Sequence, residues 1–289
     1  MRRLLSILLL ILIFSHPLLG ANDLSDAVAH WTLESGAMGT DVSDGGNNLT
    51  VNNVTADGDV GDFKEDSYSG IFGSGTGSRM YLADASLDAG FPWSSGESAT
   101  GSVCFWFKPN NSELPTNGET NGLFAKYAFT TPDTDKRTML IAFKQVDAEA
   151  GHDRIVFTNG YDDDDPGGAG ETYAHASDLS GSTWYHIGFS YNATNKAYKL
   201  TIHDESSQVG TDLDSTSAHD MSLTDSPLEI GGYDNGSSAL FADGHIDDII
   251  VWDRALTLDE LDTVWAGTYA PPSGSSIIPI LGPQLRRRR

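Results

Sequence analysis

The sequence predicts an all-β fold, an antiparallel two-sheet jelly-roll sandwich with one short helix near its C-terminal end. Two observations carry this prediction. Short apolar stretches alternate with clusters of Gly, Asn, Asp and Ser, which are the residue types of turns. Helical periodicity is almost absent, and many short strands separated by turns are typical of sandwiches and jelly rolls. We expect one domain over residues 22–270, because β domains of roughly 200–250 residues are common.

The predicted strands follow one another through the middle of the chain. Residues 102–108 and 139–143 are short apolar runs of the kind that buried strands have. Residues 185–191 alternate between large apolar and small or polar side chains, as a half-buried strand does. Residues 246–252 form a further apolar stretch rich in β-branched side chains. These four segments are therefore predicted to be strands.

One helix is predicted after the last of these strands. Thr257 and Glu260 have the spacing of a capping box, in which each side chain satisfies a free backbone N–H at the start of a helix. The apolar residues that follow fall on one helical face: Leu258, Leu261, Val264 and Trp265. We expect a helix over residues 258–266 that packs against the sandwich.

Residues 1–21 predict a secretory signal peptide. Two arginines precede an apolar run from Leu4 to Phe14, and the small residues Gly20 and Ala21 follow. The run is shorter than the roughly 20 residues that span a bilayer, so we expect no membrane span after the signal is cleaved. An uncleaved N-terminal anchor is the alternative. The signal predicts a secreted or cell-surface protein.

Residues 271–289 predict a flexible tail. Pro, Ser and Gly begin it, an apolar stretch from Ile277 to Leu285 follows, and Arg286–Arg289 end it. An apolar stretch followed by arginines resembles the end of a bacterial cell-surface sorting signal, although a spanning segment is missing.

The charge of the domain excludes one class of partner. The chain has 17 Lys and Arg and 41 Asp and Glu. Six of the basic residues lie in the two ends, so the domain carries 11 basic against 41 acidic residues, a net charge near −30. Nucleic acid is excluded as a partner, because its phosphates are bound through Lys and Arg. Solubility in a salty medium and calcium binding both explain the acidic residues, and the two can coexist.

Six blocks of residues occur in an order that is known from one family. They are residues 29–33 followed by Glu34, residues 41–48, residues 105–109, residues 184–187, residues 228–231, and residues 244–252 followed by residues 254–257. In this order they resemble the laminin-G-like jelly-roll domains of the concanavalin A-like lectin/glucanase superfamily. The resemblance implies the fold and leaves the function open.

The resemblance also implies a calcium ligand. In related sandwiches the aspartate that matches Asp247 helps to hold a structural calcium, and backbone carbonyls supply most other ligands. Calcium takes 6–8 oxygen ligands in flexible geometry. It would join the two ends of a domain whose only cysteine, Cys104, cannot form an internal disulfide. The alternative is that Asp247 is a hydrogen-bonded carboxylate at a strand end.

Three other acidic or histidine-containing features are poorer metal candidates. Residues 57–62 begin like a D-x-D calcium loop, but Gly61 stands where a third oxygen ligand belongs and Tyr68 where the final Glu belongs. The acidic run Asp162–Asp165 predicts a solvated loop, because consecutive carboxylates cannot all face one ion. The eight histidines are scattered singly and do not form a spaced set of zinc ligands.

The sequence does not decide whether the protein is an enzyme, but the motifs favour a protein without catalytic activity. Retaining hydrolases of the superfamily carry a Glu-x-Asp-x-x-Glu arrangement, whose two glutamates act on the glycosidic bond. Only Glu260 has an Asp two residues later, and Trp265 stands at the second glutamate position. The Gln-x-His strand of similar polysaccharide lyases is also missing. A hydrolase or lyase with an unrecognised active site is the alternative.

We therefore predict a secreted or cell-surface binding or adhesion module whose partner is a glycan or a surface protein. Sugar recognition combines aromatic platforms with hydrogen-bonding carboxylates and amides. The candidate residues are the loop aromatics and their polar neighbours: Trp93, Tyr127, Tyr161, Tyr233, Asp234 and Asn235. For each aromatic residue, ordinary partial burial is the alternative. A structural component of a matrix or appendage is the alternative function, and the oligomeric state is not predicted.

Overall fold

The computed structural model describes residues 22–23, 26–73, 77–110, 120–129, 135–145, 153–161, 169–234, 239–267 and 269–270. The predicted signal peptide, the predicted tail, the acidic run Asp162–Asp165 and Asn235 lie outside the described residues. A 3₁₀ turn covers Asp84–Ser86, and one helix, α1, covers Leu258–Trp265. The strands are β1 (Asn22–Asp23), β2 (Ala27–Trp31), β3 (Thr50–Asn52), β4 (Thr55–Asp57), β5 (Ser69–Phe72), β6 (Arg79–Leu82), β7 (Gly101–Pro109), β8 (Thr120–Phe129), β9 (Asp135–Gln145), β10 (Asp153–Tyr161), β11 (Ala169–Ala174), β12 (Tyr185–Asn192), β13 (Ala197–His203), β14 (Leu213–Thr216), β15 (Leu228–Ile230), β16 (Gly232–Asp234), β17 (Ala239–Phe241), β18 (Gly244–Trp252) and β19 (Tyr269–Ala270).

Two large sheets form the domain, as the sequence predicts. The eight-stranded sheet has the order β14-β13-β12-β7-β18-β5-β4, and β2 also pairs with β18. The nine-stranded sheet has the order β11-β10-β9-β8-β15-β6-β3, with β16 and β17 beside β8. Within both sheets the strand pairs are antiparallel except the contact between β16 and β8. The short strands β1 and β19 form a separate parallel pair.

The main core lies between the two sheets. Strands β7, β12, β13 and β18 of the eight-stranded sheet and strands β8, β9 and β10 of the nine-stranded sheet contribute most of it. Phe107 packs edge-to-face on Phe143 across the interface, with ring centroids 5.6 Å apart. Such aromatic pairs stabilise a core beyond the area that they bury.

The first and last long strands of the domain are neighbours. Trp31 of β2 lies opposite Ile249 of β18, and β18 also pairs with β7. The register of β18 shifts between Asp247 and Ile250, where Asp248 has a φ of 46°. This bulge directly follows Asp247, the aspartate that the sequence predicts as a calcium ligand.

Helix α1 closes part of the outer surface of the eight-stranded sheet. Its N-cap, Thr257, and Glu260 form both hydrogen bonds of the predicted capping box. Leu261 and Val264 pack against Cys104 and Ile250, which face away from the main core. The helix prediction is confirmed, with the C-terminal end one residue earlier than expected. Among the described residues, no helix has the length and apolar character needed to cross a membrane.

Candidate functional site

The nine-stranded sheet has a second face, opposite the main core, that carries side chains of its own. Along β8 and β9, Phe124 and Ile141 point into the core, whereas Ala125, Leu140 and Ala142 belong to a separate cluster. Successive side chains of a strand point to opposite faces. The apolar run 139–143 is therefore buried on both sides, and Tyr127, Tyr233 and Leu240 pack on the outer side.

A cavity of about 160 Å³ opens on this outer face. We call it the tyrosine cavity. Its lining residues come from β8, β9, β10, β11 and β16: Thr120, Tyr127, Arg137, Leu140, Lys144, Val156, Thr158, Gly170, Thr172 and Tyr233.

Two tyrosines meet at the tyrosine cavity. The rings of Tyr127 and Tyr233 lie edge-to-face with centroids 5.4 Å apart. Tyr233 lies directly over Gly122, where an added Cβ would come within 2.6 Å of the ring. Glycine at position 122 is therefore needed to seat Tyr233. Tyr127 is half-buried and presents part of its ring to the cavity.

The hydroxyl of Tyr233 is held in a buried position. The side chain is 6 % exposed and shares a hydrogen bond with the side chain of Thr120. Burial, and then the neighbouring Tyr127, raise the pKa of Tyr233 well above its usual range. The phenol is neutral at physiological pH and acts as a hydrogen-bonding group rather than a charge.

Hydroxyl groups and open space line the opposite side of the tyrosine cavity. The hydroxyls of Thr158 and Thr172 lie 3.0 Å apart in a cross-strand hydrogen bond. Gly170 leaves the space in front of them unfilled, since an added Cβ would touch Thr158 and come 4.0 Å from the hydroxyl of Tyr127. The cavity thus offers an aromatic edge, two threonine hydroxyls and room for a ligand ring.

Arg137 reaches the tyrosine cavity because of an irregularity in β9. The pairing passes from Lys126 opposite Met139 to Tyr127 opposite Arg137, which leaves Thr138 as an extra residue. A bulge of this kind redirects the side chain next to it. Arg137 consequently lies on the same face as Tyr127, with its guanidinium 5.6 Å from the centre of that ring.

The structure brings together only part of the residues that the sequence singles out. Tyr127 and Tyr233 meet as described. The backbone of Tyr161 pairs with Ala169, and that of Asp234 with Ala128, while their side chains are outside the described set. The sequence does not reveal four other lining residues, because their convergence depends on strand register: Arg137, Lys144, Thr158 and Thr172.

The position of Trp93 differs from the expectation that its ring is a loop aromatic available for sugar binding. It lies in a turn, as predicted, but its side chain is fully buried against Phe124 and Phe189 in the main core. Its backbone N–H donates to the carbonyl of Ser98, which folds the turn inward. A large apolar ring gains more from burial than from solvent contact, so Trp93 is a core residue and offers no exposed ring to a ligand.

A second cavity of about 430 Å³ lies further along the same outer face. Glu229 accepts a hydrogen bond of 2.5 Å from Arg79, whose guanidinium also lies 5.2 Å from the ring of Tyr81. Beside them the buried ammonium of Lys126 is paired with Asp84. These ion pairs satisfy the charges of the second cavity within the protein itself.

Asp247 lies fully buried on the other sheet. Its Oδ2 accepts the backbone N–H groups of Lys64 at 2.8 Å and Glu65 at 3.0 Å, and its Oδ1 accepts that of Asp248 at 2.9 Å. These are the contacts of a hydrogen-bonded carboxylate, as in the alternative that the sequence leaves open, although Asp247 lies inside β18 at its bulge and not at a strand end.

The charge around Asp247 is nevertheless poorly balanced. Burial raises the pKa of Asp247 to about 8, against the lowering effect of the loop amides, and burial followed by repulsion from Asp248 raises the pKa of Glu65 to about 7. On the other side, Nε2 of His30 lies 2.6 Å from Asp248. A cation would suit this charge, but the described groups that contact Asp247 are N–H donors and not oxygen ligands. A calcium ion here stays a prediction.

A further group with metal-ligand chemistry occurs among the residues that the structure describes. The ligand atoms of Asp57, Asp62 and His245 all lie within 4.8 Å of one another. His245 approaches Asp57 to 3.1 Å, and the ammonium of Lys108 lies 2.6 Å from Asp62. Lys108 thus already supplies a positive charge, and ion pairing accounts for the cluster. Asp57 and Asp62 belong to residues 57–62, the segment that begins like a calcium loop, but the sequence spacing does not reveal that His245 of the distant strand β18 joins them.

The two sheets, the closing strand and the capped helix define the class of the protein, a jelly-roll sandwich. A family model described as the concanavalin A-like lectin/glucanases superfamily matches residues 75–262, and the chain belongs to this superfamily. The resemblance that the sequence indicates is confirmed. No curated protein matches the chain in sequence.

Several solved structures are similar to this chain. The binding domain of botulinum neurotoxin DC in complex with SialylT aligns with a TM-score of 0.52 and 10% identity, over 85% of this chain and 52% of that one. The CBM40 of a Ruminococcus gnavus sialidase bound to α2,3-sialyllactose gives 0.41 and 18%, over 59% and 83%. A heptameric SAP-like pentraxin from Limulus polyphemus gives 0.39 and 16%, over 60% and 73%. The toxin domain shows the shared fold, and this chain spans about half its length.

Proposed function

We propose that the chain is a secreted or cell-surface carbohydrate-binding module without catalytic activity, and that the sugar binds in the tyrosine cavity. One observation carries the proposal, the meeting of Tyr127 and Tyr233 at a cavity that threonine hydroxyls face. Ligand sites combine aromatic and apolar walls with a few polar groups that fix orientation. A sugar ring has apolar C–H faces and hydroxyl edges, which match these two kinds of surface.

The composition of the tyrosine cavity supports binding over hydrolysis. Glycosidases act through a pair of carboxyl groups that flank the scissile bond. The described residues that line the cavity include no Asp or Glu. Membership of a superfamily named for lectins and glucanases supports sugar as the ligand class.

A glycan array, read in calcium and again in chelator, tests this proposal. We expect the purified domain to bind a defined group of glycans, and Tyr127→Ala to lose that binding at least tenfold. Tyr81→Ala is the matched control, because Tyr81 lies on the same sheet but lines the second cavity. Loss of binding in Tyr81→Ala with no change in Tyr127→Ala would place the sugar elsewhere. No bound glycan on the wild-type array contradicts the proposal.

Export is a separate part of the proposal, and the predicted signal peptide over residues 1–21 supports it. The test is N-terminal sequencing of the protein recovered from the culture medium or from the cell surface. We expect the mature chain to begin near residue 22. A protein found inside the cell with Met1 retained contradicts export and leaves sugar binding untouched.

A further inference from the structure

Helix α1 lies against a layer of buried polar side chains on the eight-stranded sheet. Thr201 and His203 are two residues apart on β13 and share its outer face, and His186 lies directly opposite His203 on β12. Leu261 of α1 reaches this layer, since an added Cβ at Gly188 would meet both Thr201 and Leu261. All three polar side chains belong to residues that are 2 % exposed or less.

The polar layer is not fully hydrogen-bonded in the closed structure. The hydroxyl of Thr201 and the Nδ1 atoms of His186 and His203 have no hydrogen-bond partner among the residues that the structure describes. A buried polar group without a partner costs free energy, because it has given up its hydrogen bonds to water. Closing α1 over this layer therefore costs part of the stability that its apolar contacts provide.

His203 connects the polar layer to the C-terminal half of α1. Its ring stacks on the ring of Trp265, with centroids 4.3 Å apart and 19° between the planes. Nε2 of His203 lies 3.3 Å from the carboxylate of Asp262, which is three residues earlier in the helix than Trp265. The indole N–H of Trp265 donates to the backbone carbonyl of Asp204, just after β13. The end of the helix is thus seated on one histidine.

The protonation of His203 depends on whether α1 covers it. Burial lowers the pKa of His203 below its ordinary value of 6.5. Three carboxylates oppose this effect: Asp262, Asp212 and Asp204. Asp262 is half exposed, so solvent screens its attraction, and the buried ring of His186 lies on the neighbouring strand. An uncovered ring takes up a proton near pH 6.5, whereas the covered ring requires a lower pH.

Helix α1 can separate from the sheet without breaking a strand pair of either large sheet. Among the described elements only β19 follows it, and β19 pairs with β1 outside both sheets. The apolar contacts of α1 come from side chains such as Leu261 and Val264, which pack over Cys104. Elements of this kind open locally at a lower cost than the whole fold. Cys104 is the only cysteine of the chain and is fully buried, so it reports on such an opening.

We propose that α1 is an acid-sensitive cover, which leaves the eight-stranded sheet when His203 takes up a proton while the two sheets remain paired. Proton uptake favours the open form, because only there is the charged ring hydrated. The closed form is most stable above pH 6.5 and loses stability as the pH falls through the range between the open and the covered histidine. This inference is independent of the proposed sugar site, since the tyrosine cavity opens on the other sheet.

The first test measures how well α1 protects Cys104 from 4,4′-dithiodipyridine, a thiol reagent that also reacts in acid. Labelling rates of the folded protein at pH 7.5 and pH 5.0 are divided by rates in urea at the same pH, which removes the pH dependence of the thiol itself. We expect the protection of the wild type to be roughly fivefold lower, or more, at pH 5.0. Equal protection at the two pH values overturns the inference.

Hydrogen exchange then shows whether the opening is local. At pH 5.0, with rates corrected for intrinsic exchange, the amides of residues 258–265 should lose protection while those of β7 and β12 keep it. Loss of protection in all three elements together would mean that the fold opens as a whole, which contradicts a separate cover. Both measurements are made on the unmodified chain.

A pair of variants identifies the histidine that responds. His203→Gln removes the titrating ring, so most of the pH dependence of Cys104 protection should be lost. His175→Gln is the matched control, because His175 is also fully buried but lies at the end of β11, on the other sheet, and contacts the backbone of Thr211. It should respond as the wild type does. An unchanged response in His203→Gln contradicts the role of His203.

Asp262→Asn tests the same histidine from the helix. The carboxylate of Asp262 favours the charged ring in the closed form, so its removal should make the fall in protection between pH 7.5 and pH 5.0 larger than in the wild type. A smaller fall would contradict the inference. Asp262 is half exposed, so this variant tests the inference even if His203→Gln does not fold. Melting curves at pH 7.5 verify the folding of each variant.

Discussion

The outer faces of the two sheets differ in how far other parts of the chain cover them. The outer face of the eight-stranded sheet is covered by the chain itself, by helix α1 and by the loop that contains Lys64 and Glu65. The outer face of the nine-stranded sheet carries the tyrosine cavity and the second cavity. Both faces hold apolar side chains and charges, so composition alone does not distinguish them. The difference is that a helix and a loop cover the first face, whereas side chains of the sheet itself pack over part of the second.

Burial under the covering helix and loop changes the protonation of side chains on the covered face. On the covered face His186 is 2 % exposed, lies edge-to-face on Trp106, and has a lowered pKa of about 3 through burial. On the open face Arg137 and Tyr127 line the tyrosine cavity. We therefore expect substitutions on the covered face to change stability, and substitutions at the tyrosine cavity to change binding.

The largest effect should come from the contact between α1 and the covered face. Leu261 is fully buried against this sheet, close to Gly188. Leu261→Ala should lower the free energy of unfolding by about 2–5 kcal/mol, because it leaves a cavity in a packed cluster. Urea denaturation measures this loss. Leu258→Ala, on the same helix but only partly buried, should cost less than half as much. Equal costs would show that α1 is not a fixed cover.

Asp247 should give the next largest effect. Asp247→Ala leaves three backbone N–H groups without their acceptor, at about 1–3 kcal/mol for each buried donor. The substitution also removes a carboxylate whose charged form is disfavoured by burial, as its raised pKa shows, and this gain offsets part of the cost. We expect a net loss of about 2 kcal/mol, which lowers the melting temperature by roughly 4–8 °C.

The same variant tests the predicted calcium. If the ion binds at Asp247, calcium raises the melting temperature of the wild-type protein over its value in chelator, and Asp247→Ala abolishes that difference. A wild-type melting temperature that is equal in calcium and in chelator contradicts the calcium prediction and leaves Asp247 as a hydrogen-bonded carboxylate.

His186 should control part of the acid sensitivity of the covered face. The unfolded chain takes up a proton at this histidine below its ordinary pKa of 6.5, whereas the buried ring does not until about 3. Stability therefore falls as the pH falls through this range. Between pH 7 and pH 5 the wild type should lose about 2 kcal/mol more than His186→Gln. Chemical denaturation at the two pH values measures the difference. The same pH dependence in both proteins would show that the ring is not sealed from water.

The smallest effect on stability should come from the open face. Tyr127 is half-buried beside the tyrosine cavity, so Tyr127→Ala should lower the free energy of unfolding by about 1 kcal/mol or less and still abolish glycan binding. Thermal melts and the glycan array are read on the same preparation. A loss of stability as large as that of Leu261→Ala would show that this face is structural, and the contrast between the two faces would fail.

Much of the fold could be predicted from local patterns. The capping box of Thr257 and Glu260 specified the start of α1, because each partner lies within one turn of the other. The order of the family blocks indicated the sandwich, in which the Trp31 strand, β2, pairs with β18. Trp93 was misjudged, because a turn signal gives the backbone conformation and not the direction in which the ring packs.

The sequence by itself determined the sandwich, the helix and the acidic composition of the domain, since alternation, turn residues and net charge are properties of neighbouring residues or of totals. Tyr127 and Tyr233 were already candidates, but their contact was not. Only the tertiary structure decided that Arg137 joins them, because an extra residue at Thr138 reverses the face on which Arg137 lies. Strand register and bulges are set by contacts between distant segments, and a side chain changes face with each one-residue shift.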